Sequence, residues 1–232
     1  MLGNLRHSSR CPAWSRSCRP MLEELEQRLV PSANVLTYHN DIASTGTNPG
    51  VSAQGSQRLL ERTVVEVEGD KLSIHPENDH SFFHFGHSTH GHAHFIVTVP
   101  QLSGATIAGS GGIRVDRVQG ARFEGTVAGS GGLDVAAVDV QQLKLSIAGS
   151  GGMKAGTGKA QSAEYEIAGS GSLDAGGVQT QQVKVDIAGS GGVRAHSSGT
   201  AEVDIMGSGD VNISGGAKCS VSKMGSGNVS CS

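Results

Sequence analysis

The chain has 232 residues, 35 of them glycine, with only 3% aromatic side chains and a formal net charge of −3. A balance this near neutrality, with no Lys/Arg cluster in the repeats described below, gives no footprint for nucleic acid. Glycine without a three-residue period excludes collagen, and no apolar run approaches the ~18 residues that a membrane helix needs, so no transmembrane segment is expected.

Residues 1–20 are rich in Arg and Ser and hold Cys11, Cys18 and the lone tryptophan, Trp14. They lack the continuous apolar core of a secretory signal, so no signal peptide of the usual form is recognised. Residues 21–30 suit a short helix ending before Pro31. From 44 to 57 the composition turns to Ser, Thr, Gly, Asn and Gln, the signal of a linker. Residues 1–57 are thus expected to be a disordered or grafted segment and linker, and residues 58–232 a folded β domain.

Strand character begins after Arg62. Residues 63–67 and 71–74 read as two short strands turning at Gly69-Asp70, and 95–99 as a third, ended by Pro100. Between them, residues 75–94 carry His75, His80, His84, His87, His90, His92 and His94. Neutral imidazole binds Zn, Ni or Cu, and alternate histidines in a strand share one face. A metal site here would draw on His84, His87, His90, His92 and His94, and no other cofactor is expected. No HExxH or spaced cysteine pattern fixes a geometry, so the simpler reading is a hydrophilic loop.

From about residue 102 onward, the tripeptide Gly-Ser-Gly recurs seven times. Its first glycines are Gly109, Gly129, Gly149, Gly169, Gly189, Gly207 and Gly225, spaced 20, 20, 20, 20, 18 and 18 residues apart. A fixed period of this size marks a solenoid or array. Two positions before each Gly stand Ile107, Val127, Ile147, Ile167, Ile187 and Ile205, then Lys223. Four positions after stand Ile113, Leu133, Met153, Leu173, Val193, Val211 and Val229. Each repeat therefore reads as two period-2 strands hinged at Gly-Ser-Gly, and only stacking of repeats buries the apolar face. The seven glycines are turn residues, because Gly takes φ > 0 without steric cost. Five positions before the Gly, Glu124, Lys144, Glu164, Lys184 and Glu202 alternate in sign. Five after, so do Arg114, Asp134, Lys154, Asp174 and Arg194. In-register stacking about 4.8 Å apart sets opposite charges above and below one another. The expected architecture is a single-stranded parallel β-helix (β-solenoid) of about seven ~20-residue coils, right-handed by the chirality of parallel crossovers.

Three positions before the Gly, Glu166, Asp186 and Asp204 form a carboxylate column. It could hold a cation or act as a glycosidase-like pair. Lys144 and Lys184 project nearby and break up the acidity, so a solvated acidic edge is the simpler reading.

The repeated IAGSGG, the GDKLSI and FIVTVP strands before it, and the closing GSGDVNISGGAKCSVSKMGSGNVSC resemble the GIN domain, the adhesin head domain of bacterial auto-transporters, over roughly residues 64–232. The resemblance implies an all-β solenoid in exported or envelope proteins, with no established catalytic activity. It implies a periplasmic, outer-surface or extracellular location and an adhesin-like role toward a surface ligand of unknown kind, glycan or protein. In an exported chain, Cys219 and Cys231, six before and six after Gly225, are placed for a disulfide that pins the last coil. The alternatives are a metal binder built on the His-rich loop and a carbohydrate-active β-helix enzyme.

Overall fold

A computed structural model describes residues 34–39, 50–76 and 93–232. The chain divides into two units, Met1–Pro100 and Gln101–Ser232. In the first, β1 (Asn34–His39), β2 (Gly50–Gly55) and β5 (His94–Thr98) form an antiparallel sheet in the order β1-β2-β5. The helix α1 (Gln57–Glu61) follows β2, and β3 (Thr63–Glu68) pairs with β4 (Lys71–Pro76) in a hairpin. Gly69 makes the hairpin turn at φ 62°. Residues 50–55, which read as linker by composition, are a central strand. Their polar residues alternate with Val51 and Ala53, and Ala53 is buried. The helix expected over 21–30 lies outside the described residues.

The second unit is the solenoid. Its strands are β6 (Gly104–Gly109), β7 (Gly112–Gly129), β8 (Gly132–Gly149), β9 (Gly152–Gly169), β10 (Ser172–Gly189) and β11 (Gly192–Gly207), then the shorter β12 (Asp210–Ser214), β13 (Lys218–Met224) and β14 (Asn228–Cys231). Every pairing is parallel and joins equivalent positions of successive repeats: Ile147 stands opposite Ile167 and Ile167 opposite Ile187. About six turns result. The coils begin at Gly104, and residues 58–100 fall in the first unit.

Each coil has three sides rather than the two expected. In β8 the buried residues are Leu133 and Val135, then Val138 and Val140, then Leu143, Leu145 and Ile147. Alternation within a side has period 2, and the phase slips by one residue at each bend. The columns through Val138 and Val140 form the middle side, which a two-strand reading left as loop. Coil three shows how the core compensates in volume. Met153, Ala155, Ala160 and Ala163 leave room that Tyr165, fully buried, fills. Its hydroxyl has no hydrogen-bond partner among the described residues. The 18-residue coil shortens its middle side, where Ser197 is buried and donates to the carbonyls of Gln181 and Thr200.

The Gly-Ser-Gly corners are where backbones of adjacent coils come closest. All seven first glycines have φ between 106° and 132°. Ser150 N–H donates to Gly129 O and Gly152 N–H to Gly131 O, both at 3.0 Å; the ladder repeats through the corner at Gly207, and at the last corner Gly227 N–H donates to Gly207 O instead. The second glycine is needed for space alone: a Cβ on Gly151 would lie 2.6 Å from Gly131 O and 2.6 Å from a Val127 methyl.

In β13, Val221, four positions before Gly225 and opposite the buried Val203, is 46% exposed. Lys223 replaces the isoleucine of its column, and its ammonium donates to Gly227 O at 2.9 Å. An inward-pointing charge at a free sheet edge discourages further strand addition.

Gly149→Ala places a side chain at φ 122° and its Cβ 2.5 Å from Gly129 O. It should destabilise the domain by about 2 kcal/mol or more. Gly132→Ala, whose nearest neighbour would be at 3.7 Å, should stay within about 0.5 kcal/mol of wild type. Urea unfolding of the two variants checks this, and equal losses would contradict the corner assignment.

Candidate binding face

On the third side of each coil, residues one, three, five and seven positions before the corner glycine point outward. Register converts them into four parallel columns on one sheet face. Nearest the corner run Ala108, Ala128, Ala148, Ala168 and Ala188, then Met206, all exposed. The next column holds hydroxyls in its first half (Thr106, Thr126, Ser146) and carboxylates in its second (Glu166, Asp186, Asp204). The third is the sign-alternating column from Glu124 to Glu202, and the fourth carries Arg122, Gln142, Ser162, Gln182 and Thr200. The last two columns border a shallow open groove of about 750 Å³ along the solenoid, its charges set by Arg122, Lys144, Glu164, Lys184, Glu202 and Lys218.

A polar network sits at the centre of this face. Lys144 Nζ donates to Glu166 Oε1 at 2.8 Å and lies 3.4 Å from Glu164 Oε1. Ser146 Oγ donates to Glu166 Oε2 at 2.8 Å, and Lys184 Nζ pairs with Asp186 Oδ2 at 3.0 Å. Glu164, Glu166 and Asp186 bring carboxylate oxygens within 4.8 Å of one another. Two ammonium groups therefore stand where a bound cation would neutralise this group. The Lys144 and Ser146 hydrogen bonds hold the Glu166 carboxyl below its ordinary range, against a smaller effect of burial. A general acid of a glycosidase needs the opposite shift. The Glu166 hydrogen bond raises Lys144, and the Asp186 hydrogen bond raises Lys184. These shifts all favour the ionised forms of Lys144, Glu166 and Lys184.

The charge columns stack in the expected register. Direct bridges across coils close at Arg114–Asp134 (3.2 Å) and Lys144–Glu164, while Lys184 and Arg122 turn to carboxylates two residues along their own strands. Neighbours two apart on one strand face are about 6.6 Å away, against about 4.8 Å on the next coil, and long side chains span either distance. Column reading by itself singled out Glu166, Asp186 and Asp204 and missed the hydroxyls that complete their column. Extending the same tabulation to positions one and seven would have exposed the whole face.

Of the histidines proposed as ligands, His94 is an exposed residue of β5 opposite Gln54. His84, His87, His90 and His92 lie outside the described residues. Cys219 and Cys231 are joined in the structure, S–S 2.07 Å, across the last coil. The seven corner glycines occupy the positive-φ turns already described.

The described residues thus form a parallel β-solenoid with one long polar sheet face, and no helix among them is long and apolar enough to cross a membrane. Residues 40–217 match the family described as "Putative auto-transporter adhesin, head GIN domain", and the chain belongs to that family. Solved structures share the fold. A putative adhesin from Bacteroides fragilis is 20% identical with a TM-score of 0.74, covering 87% of this chain and 98% of its own. A putative lipid binding protein from Parabacteroides distasonis is 22% identical at TM-score 0.62, covering 86% and 97%. A putative adhesin from Parabacteroides merdae is 18% identical at TM-score 0.62, covering 87% and 96%. No curated protein matches the chain by sequence.

The lowered Glu166 carboxyl gives a stability contribution fully present above its ordinary value of 4.5 and lost as pH falls through the lowered one. Glu166→Gln should therefore lower the melting temperature at pH 7, with the difference from wild type shrinking below about pH 4. Thermal melts between pH 2.5 and 7 test this; a difference independent of pH would show that the ion pair contributes nothing.

Proposed function

We propose that this chain is a non-catalytic binding module of the cell envelope or cell surface, an adhesin-like head whose solenoid displays the four-column face to an external ligand. The observation that carries the reading is the face itself. Equivalent polar side chains repeat at the coil spacing across a flat sheet, which suits an extended partner and offers no convergent pair of acid and base. Membership of the GIN family supports the adhesin-like role and the envelope location. The Cys219–Cys231 bridge supports an oxidising compartment, where disulfides persist. Lys144, Glu164, Glu166, Lys184 and Asp186 at the centre of the face are joined in salt bridges, which favours recognition by complementary charge over bond-breaking chemistry.

Beads coated with the full-length chain and exposed to a glycan array and a panel of purified extracellular-matrix proteins test this. Retention of at least one ligand class is expected, weakening between 50 mM and 500 mM salt as exposed charges are screened. Lys144→Ala with Lys184→Ala should reduce retention about tenfold. Release of a shortened polysaccharide from the beads, or retention indifferent to those substitutions, would overturn the reading.

A further inference from the structure

The four-column face is complementary to itself in one arrangement. Take the six strands from β6 to β11, leaving aside β13, which continues the columns beyond β11 with Lys218, Ser220, Ser222 and Met224, and turn a second copy over about an axis lying in the face, parallel to the strands and midway between β8 and β9. The strand order reverses, while each position along a strand is kept. So β8 meets the partner's β9, β7 its β10 and β6 its β11, and each column meets itself.

In the sign-alternating column, Lys144 then stands opposite the partner's Glu164 and Glu124 opposite the partner's Lys184, with the reciprocal pairs on the other side of the axis, while Glu202 meets the partner's Gly104 and no like charge. In the next column every hydroxyl meets a carboxylate: Ser146 the partner's Glu166, Thr126 its Asp186 and Thr106 its Asp204. The intrachain bonds to Glu166 leave lone pairs on each of its oxygens, since a carboxylate accepts about four. In the outermost polar column Arg122 meets the partner's Gln182, and Gln142 its Ser162. In the corner column alanines meet alanines, and Met206, 64% exposed, meets the partner's Ala108, where the small side chain leaves it room.

Other registers fail. Moving the axis by half a strand spacing either way sets lysine against lysine and glutamate against glutamate in the charged column. Moving it a full strand spacing toward β11 sets Glu166 against the partner's Asp186. Toward β6, the same move leaves only β6–β9 in contact.

The size is also adequate. Eight residues at about 3.3 Å and six strands about 4.8 Å apart give a face of roughly 750 Å². Two faces bury about 1,500 Å² together, the span of a specific interface.

We infer that this face pairs with a second copy of the same chain, antiparallel along the solenoid, as an isologous dimer about an axis between β8 and β9. The inference rests on reading the face as a binding surface and specifies the chain itself as a partner; in opposing cells, the same contact is homotypic adhesion.

Sedimentation velocity of the full chain tests it, in a Cys11→Ser, Cys18→Ser background so that no intermolecular disulfide imitates pairing. The parent should show a concentration-dependent monomer–dimer equilibrium. Lys144→Glu sets carboxylates face to face and Glu164→Lys sets ammonium groups face to face, so each alone should weaken the dimer about tenfold or more. An equimolar mixture of the two variants should restore a heterodimer, and the double variant carrying both changes should restore the homodimer. Restoration also shows that the single variants had not simply unfolded.

A parent that stays monomeric to concentrations on the order of 100 µM, a dimer indifferent to both changes, or a loss that neither mixing nor the double exchange repairs would each overturn the pairing. A monomeric chain that is still retained on a glycan or matrix protein would refute the pairing alone and leave the binding-module reading standing.

Discussion

Everything in the solenoid depends on the approach of one corner to the next. Successive Gly-Ser-Gly segments sit directly over one another, joined by Ser N–H to Gly O hydrogen bonds such as Ser150 to Gly129. No side chain fits between them, because a Cβ on either glycine meets the carbonyl of the coil before. The left-handed turn at the first glycine and the missing volume at the second are separate requirements, and glycine alone satisfies both. Once corners are locked in register, all other columns follow, since every residue is then a fixed number of positions from a shared landmark.

That register converts a one-dimensional repeat into a two-dimensional surface. Inward columns become continuous ribs of Ile, Val and Leu, giving the narrow chain a core that no single coil could supply. Outward columns become lines of like chemistry at the spacing of paired strands. Repeating one residue down such a line is harmless for alanine and threonine, but a line of lysine would repel itself. Alternation between Lys and Glu removes that cost within the molecule. It also leaves a surface whose pattern of charge is read equally well from either end, one offset by a strand from the other. The same feature that permits stacking therefore shapes what the surface can meet.

Much of this was legible in the chain itself, for a physical reason: the repeat supplies its own alignment. The columns of Ile147 and Leu133, the corner glycines and the sign alternation could be tabulated without coordinates, and parallel β stacking follows from them. The middle side was not legible. Val138 and Val140 have as counterparts Gly158 and Ala160, so the apolar signal there is weak, and the phase slips at the bends erase simple period-2 counting. Val51 and Ala53 were masked in the same way, by polar neighbours in a short strand. The central salt-bridge network was half visible. Glu166 and Asp186 stood out as a column, whereas Lys144 joins them only because side chains two apart on one strand share a face with those of the next coil.

The coil of β12, β13 and β14 departs from those before it. Lys223 stands where five isoleucines and Val127 stand in the coils before it, and the Cys219–Cys231 bridge ties the two halves of its coil. Here the apolar spine gives way to a charge and a covalent tie, which make this strand less attractive to another strand.

In-register stacking is most directly tested by distances between exposed corner serines. Spin labels on Ser110→Cys with Ser190→Cys, four coils apart, and on Ser110→Cys with Ser226→Cys, six apart, are measured by pulsed electron resonance in the Cys11→Ser, Cys18→Ser background, diluted with unlabelled chain. At about 4.8 Å per coil the separations should be close to 19 Å and 29 Å between backbones, differing by about 10 Å. Equal separations, or a shorter distance for the more distant pair, would contradict the stack.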